Sequence, residues 1–200
     1  MSLDEHAVDP DPVVQFRHWL ADAIAAGIVN ADAAALATAG RDAAPSVRFV
    51  LCKGVDERGF VFYTNTGSRK ARELAENAEA ALAFYWVDLG RQVRIVGAVE
   101  PIAREEVEEY FRTRPLGSRL GAWASPQSRP VASRQELDRL FAEAANRFSE
   151  VDPPLPAHWG GYRVVPREIE FWEHRDSRLH DRVLYERQPD GSWSRRRLAP

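Results

Sequence analysis

Hydrophobic positions change period along this chain. From Pro12, the residues Val13, Phe16, Trp19, Leu20, Ala23 and Ile24 recur at helical spacing and stop at Gly27, which predicts an amphipathic first helix. Beyond it the period shortens to two. Short β-branched and aromatic runs at 34–38, 47–53, 60–64, 80–87 and 92–100 predict strands, separated by turn signals such as Gly40-Arg41-Asp42 and Asp56-Glu57-Arg58-Gly59. Only the stretch from Ser68 to Asn77 has helical composition among them. Runs so closely spaced predict an antiparallel sheet curled into a barrel, not a βαβ array. Helical spacing returns at 104–112, more weakly at 118–124, and at 133–148, where Leu137, Leu140, Phe141, Ala144 and Phe148 share a face. After Pro153-Pro154-Leu155-Pro156, residues 162–165, 169–173, 182–186 and 193–197 read as terminal strands, the last two joined around Pro189-Asp190-Gly191. The predicted class is α+β: a β-barrel with peripheral helices, one domain over residues 12–200. Residues 1–11 are acidic and punctuated by proline, and predict a mobile arm.

Composition narrows what such a barrel does. With 44% hydrophobic residues in a chain of 200, one full core is within reach. A net charge of −3 gives no general attraction to nucleic acid or anionic membrane, so any cations that matter must be local. No apolar run approaches the roughly 18 residues of a membrane span, and the first residues lack the basic and apolar regions of a secretory leader. The expectation is a soluble, cytoplasmic protein without nucleic-acid or membrane partners. The single cysteine, Cys52, lies in an apolar run and reads as core. Five scattered histidines form no ligand motif, so no metal is expected. No dinucleotide fingerprint, Walker A sequence or nucleophile elbow occurs either.

The most informative stretch is Tyr63-Thr64-Asn65-Thr66-Gly67-Ser68-Arg69-Lys70. A strand runs into it and a helix leaves it, with Ser68 as N-cap. Arg69 and Lys70 then fall in the first helical turn, where the potential is already positive. A phosphate there would resolve the misfit. Three further groupings carry charge. Arg48 and Lys53 bracket a strand at an odd separation, which places them on opposite faces. Tyr110 and Arg114 stand at i and i+4, with Ser118 beyond Pro115, and together suit a phosphate. Arg178, His180 and Arg182 alternate, so a regular strand would put all three on one face.

Taken in order, these stretches resemble the pyridoxamine 5'-phosphate oxidase family. The resemblance rests on residues 47–53 and 62–70, Arg91-Gln92-Val93, Tyr110-Phe111 with Arg114-Pro115 and Ser118, Pro126-Gln127-Ser128, Glu170-Phe171-Trp172, Arg178-Leu179-His180-Asp181-Arg182 and the closing Arg197-Leu198-Ala199-Pro200. It runs unbroken from about residue 12 to residue 200. It implies a homodimeric split barrel that binds FMN at the subunit interface and oxidises pyridoxamine or pyridoxine 5'-phosphate with molecular oxygen. Carried over, Arg48, Arg69 and Lys70 hold the flavin phosphate side, with Tyr63, Thr64, Gln127 and Ser128 adding contacts. Val50, Leu51, Gln92, Trp172 and Arg182 line the rest of the flavin site. Lys53, also in the flavin-contacting set, joins Tyr110, Arg114 and Ser118 on the phosphate of a small pyridine substrate. Arg178 and His180 lie over its ring for orientation and proton handling. Family members commonly carry a longer basic N-terminal segment that folds over the substrate, and residues 1–11 do not match it. Alternatives are a related flavin oxidase acting on a phenazine precursor, a non-catalytic FMN or pyridoxal phosphate binder, and a plain structural barrel.

Overall fold

The computed structural model describes residues 3–200. Helix α1 (Pro12–Ala25) starts where Asp11 accepts the N–H of Val13 at 2.8 Å, with Pro12 in the first turn, where a missing N–H costs nothing. It is followed by Gly27, at φ 76°. Its Phe16, Trp19 and Ala23 are buried, and Phe16 meets Phe60 and Phe84 edge-on at 4.9 and 4.8 Å. The helix therefore plugs a barrel whose lining it completes.

That barrel is built from β1 (Ala33–Ala39), β2 (Pro45–Asp56), β3 (Gly59–Asn65), β4 (Glu79–Trp86), β5 (Arg91–Pro101) and β6 (Trp159–Glu173). The sheet order β3-β2-β1-β4-β5-β6 closes through a β3–β6 pairing, and every neighbour is antiparallel. β7 (Asp181–Arg187) and β8 (Trp193–Arg197) extend the sheet from the far half of β6. Helix α2 (Arg69–Glu76) connects β3 to β4. Helices α3 (Arg104–Thr113), α4 (Leu116–Ala124) and α5 (Arg134–Arg147) lie between β5 and β6 in the chain. Among the described residues, no helix is long and apolar enough to cross a membrane.

Two expectations meet a different outcome. Residues 162–165 and 169–173, read as separate strands around Pro166, form one continuous β6. The proline is tolerated because β5 and β6 shift register between Val96 and Gly97, and Gly97 lets the backbones close up: a Cβ there would lie 2.0 Å from the Val165 carbonyl oxygen. The other concerns the first residues, read as a mobile arm. Met1 and Ser2 lie outside the described residues, but residues 3–11 rest on the barrel: Leu3 and Val8 are buried, and the Tyr185 hydroxyl donates to the Asp9 carbonyl at 2.7 Å. Glu5 pairs with Arg197 at 2.7 Å. Cys52 is core, its thiol pushed up to about 12 by burial.

Candidate functional site

β3 delivers Tyr63, Thr64 and Asn65 to a tight turn in which Asn65 Oδ1 accepts the Gly67 N–H at 2.7 Å. Ser68 occupies the N-cap position of α2 with extended backbone, but its side chain makes no capping bond and is fully buried. The two cations that follow then part. Arg69 is 60% exposed and pairs with Glu73 at 2.7 Å, one turn along. Lys70 is 7% exposed and donates to Thr64 Oγ1 at 3.0 Å and Ser68 Oγ at 3.5 Å. Among the described residues, no carboxylate pairs with it. Burial, with Arg48 nearby, brings its ammonium down to about 8, and Glu73 offsets this only in part.

Glu73 is the hub that sequence reasoning missed. Desolvation opposes its charge, yet donors from Ser46 at 2.6 Å, Thr38 at 2.5 Å, Arg69 at 2.7 Å and Arg48 at 3.2 Å hold its carboxyl at about 2. Its position one turn beyond Arg69 was the available signal. Arg48 thus has an internal anion. Lys53 lies on the opposite face of β2, as the odd separation predicts, and pairs with Asp32 at 2.5 Å. Val50 shares the half-buried face of Arg48, whereas Leu51 is on the exposed face of Lys53.

Next to this cluster is a cavity of about 330 Å³ that gathers Tyr63, Thr64, Arg114, Ser118, Gln127 and Trp159. Gln127 Oε1 accepts from Thr64 Oγ1 at 3.0 Å, so Lys70, Thr64 and Gln127 form one chain of hydrogen bonds. Tyr110 stacks on Tyr63 with ring centroids 3.9 Å apart. Arg114 lies just past α3, its guanidinium 4.6 Å over Trp159, and its buried Nη1 has no hydrogen-bond partner. Burial pushes its pKa down, which marks a desolvated cation lacking a counter-ion. Ser118 is exposed in the first turn of α4, and Ser128 follows that helix at φ 67°. Trp159, also missed, precedes Gly160-Gly161; a Cβ on Gly161 would lie 2.8 Å from the Tyr63 ring, so the glycine permits this close approach.

The remaining predicted residues form a second group at the other end of β6. Gln92, Trp172 and Arg182 stand side by side across β5, β6 and β7. His180 lies against Trp172 with ring centroids 4.6 Å apart. The alternation expected for Arg178, His180 and Arg182 does not hold, because β7 begins only at Asp181. Before it the chain turns through Asp176–Arg178, with Ser177 at φ 57° and Arg178 at φ 61°. Arg178 is exposed, and Arg182 has its own counter-ion, Glu170, at 2.9 Å. At a rise of about 3.3 Å per residue, about 40 Å of strand separates Trp159 from Trp172. One copy of the chain does not unite the two groups.

Residues 20–148 match the family model described as pyridoxamine 5'-phosphate oxidase, and residues 159–200 the one described as the pyridoxine 5'-phosphate oxidase C-terminal dimerisation region. A pyridoxine/pyridoxamine 5'-phosphate oxidase from Cupriavidus pinatubonensis is 52% identical over 199 residues, covering 100% of this chain and 93% of that protein. One from Rubrobacter xylanophilus is 54% identical over 198 residues, covering 99% and 91%. Among solved structures, PhzG from Burkholderia lata 383, in complex with tetrahydrophenazine-1-carboxylic acid, is similar at a TM-score of 0.94 and 33% identity, covering 100% of this chain and 98% of that one. A pyridoxamine 5'-phosphate oxidase-related, FMN binding protein from Nostoc punctiforme PCC 73102 gives 0.75 at 21% identity, covering 92% and 97%, a likeness of fold.

Proposed function

The chain belongs to the pyridoxamine 5'-phosphate oxidase family, and from there we propose that it oxidises pyridoxamine or pyridoxine 5'-phosphate to pyridoxal 5'-phosphate. It does so as a cytoplasmic homodimer with FMN bound and oxygen as acceptor. The observation that carries this reading is Arg114, a half-buried guanidinium whose buried Nη1 has no hydrogen-bond partner among the described residues, in a cavity shared with Ser118. A guanidinium so placed is suited to a phosphate oxygen.

The residues present also fit a flavin. Lys70, buried without a carboxylate and linked through Thr64 to Gln127, suits the FMN phosphate, with Arg48, Arg69 and Ser128 around it. Gln92, Trp172 and Arg182, all within or beside the dimerisation region, would come from the second copy to complete the site with Val50 and Leu51. The outer barrel face, where Val47 and Phe49 are 70% and 78% exposed, offers apolar surface for that copy. Bound there, FMN would supply the two-electron acceptor, with oxygen as the final oxidant giving hydrogen peroxide and, for the amine substrate, water releasing ammonia. Tyr110, Arg114, Ser118 and Lys53 would fix the substrate phosphate, which sets the position of the C4' carbon. Arg178 and His180 would cover the ring, exclude water and orient the substrate amine or alcohol.

The test is anaerobic titration of the flavin-loaded protein with pyridoxamine 5'-phosphate, followed by air. The visible flavin band should bleach and then return. A band that never bleaches removes the substrate assignment. The PhzG likeness keeps a second reading in view, oxidation of a phenazine precursor; bleaching by an unphosphorylated tricyclic ring compound alone would favour it.

A further inference from the structure

The connection from β6 to β7, residues 174–180, carries Arg178 and His180 and is bent through two consecutive non-glycine residues in the left-handed region, Ser177 and Arg178. Such a bend persists only where its surroundings hold it. Arg175 is placed to do so. Its Nη2 donates to Glu173 Oε2 at 2.9 Å and its Nε to Asp181 Oδ2 at 2.6 Å. Glu173 is the last residue of β6 and Asp181 the first of β7, so one guanidinium ties the two ends of the connection together. Both carboxylates are braced from behind. Glu173 Oε1 accepts from Arg91 at 3.2 Å, its Oε2 from the Leu3 N–H at 3.0 Å, and Asp181 Oδ1 from Arg197 at 2.5 Å.

The backbone of Arg175 makes a further contact. Its N–H donates to Nδ1 of His180 at 3.1 Å. A ring nitrogen that accepts carries no proton, so the imidazole proton sits on Nε2. Trp172 packs against the same ring.

We infer that Arg175 is a positioning residue: by clamping Glu173 to Asp181 it holds the bend that presents Arg178 and fixes His180 in its Nε2–H tautomer. The consequence for turnover rests on the oxidase reading above, whereas the tautomer does not. The experiment compares the FMN-loaded wild type with Arg175→Ala and Arg175→Lys, labelled with ¹⁵N-histidine at mildly alkaline pH, with His180 assigned from His180→Asn. Wild type should show His180 in one Nε2–H tautomer, and Arg175→Ala a mixture. In Arg175→Ala, flavin reduction by pyridoxamine 5'-phosphate should fall by about tenfold or more, while FMN and substrate affinity stay within about threefold. Arg175→Lys, able to reach one carboxylate at a time, should recover part of the loss. Should Arg175→Ala not fold, Asp181→Asn removes one anchor and is read in the same way. An unchanged His180 spectrum in the variant overturns the clamp, and an unchanged reduction rate overturns its role in turnover. A wild-type flavin that pyridoxamine 5'-phosphate does not reduce defeats the oxidase reading instead, and the tautomer comparison still decides the clamp.

Discussion

Lys70 is buried and Arg114 half-buried, neither pairs with a carboxylate among the described residues, and each makes a prediction. Lys70 titrates at about 8 in the flavin-free fold against an ordinary 10.5. Between those values the unfolded chain holds the proton more firmly, so Lys70 adds stability as pH rises across the window, by at most about 3 kcal/mol. Below it the full penalty remains. Lys53 and Lys70 are the only lysines in the sequence; the raised Cys52 opposes the trend above its ordinary value of 9.0, and the raised Tyr63 and Tyr185 above 10.0, so the rise is to be read between about 8 and 9. Urea unfolding of flavin-free Lys70→Met should lose this slope and show greater stability at neutral pH, with FMN affinity reduced about tenfold or more; an unchanged slope refutes the assignment. Arg114→Ala should raise KM for pyridoxamine 5'-phosphate by about 10- to 100-fold with FMN retained, since a charge-assisted contact is worth about 1.5–3 kcal/mol. An unchanged KM would remove Arg114 from the phosphate grip. Both cations were legible in the sequence, but Glu73 was not. Its role depends on Thr38 and Ser46 arriving from β1 and β2, a convergence that no local spacing records.

Period and punctuation located the strands well, because alternating burial and turn residues are local properties. They misjudged β6, because tolerance of Pro166 depends on Gly97 in the neighbouring strand. Gly97→Ala should therefore destabilise the fold by about 2 kcal/mol or more, read as a lower denaturation midpoint; no change would mean that the bulge relaxes freely. The connection after β6 failed in the opposite direction. Alternation was applied to Arg178, His180 and Arg182, where the chain is not a strand, and nothing in that sequence marks Ser177 and Arg178 as left-handed.

At the scale of the molecule, the two residue groups lie at opposite ends of a single strand, and a second copy is the economical way to join them. Phe49→Glu, on the exposed apolar face of β2, should give a monomer by sedimentation that no longer retains FMN through gel filtration. A monomer with full flavin occupancy would place the whole site within one chain. Conversely, FMN at about 100 times its Kd should stabilise the assembled protein by about 2.7 kcal/mol. The order of motifs suggested this arrangement through family resemblance; periodicity alone stopped at a barrel, because contacts between chains leave no mark on it. Inside a growing cell, a chain weakened by an uncompensated Lys70 would be the form that proteases meet first, while the loaded form escapes them. On the flavin-binding reading proposed above, flavin scarcity would then lower the amount of this protein as well as its occupancy, tying its lifetime to the supply of FMN.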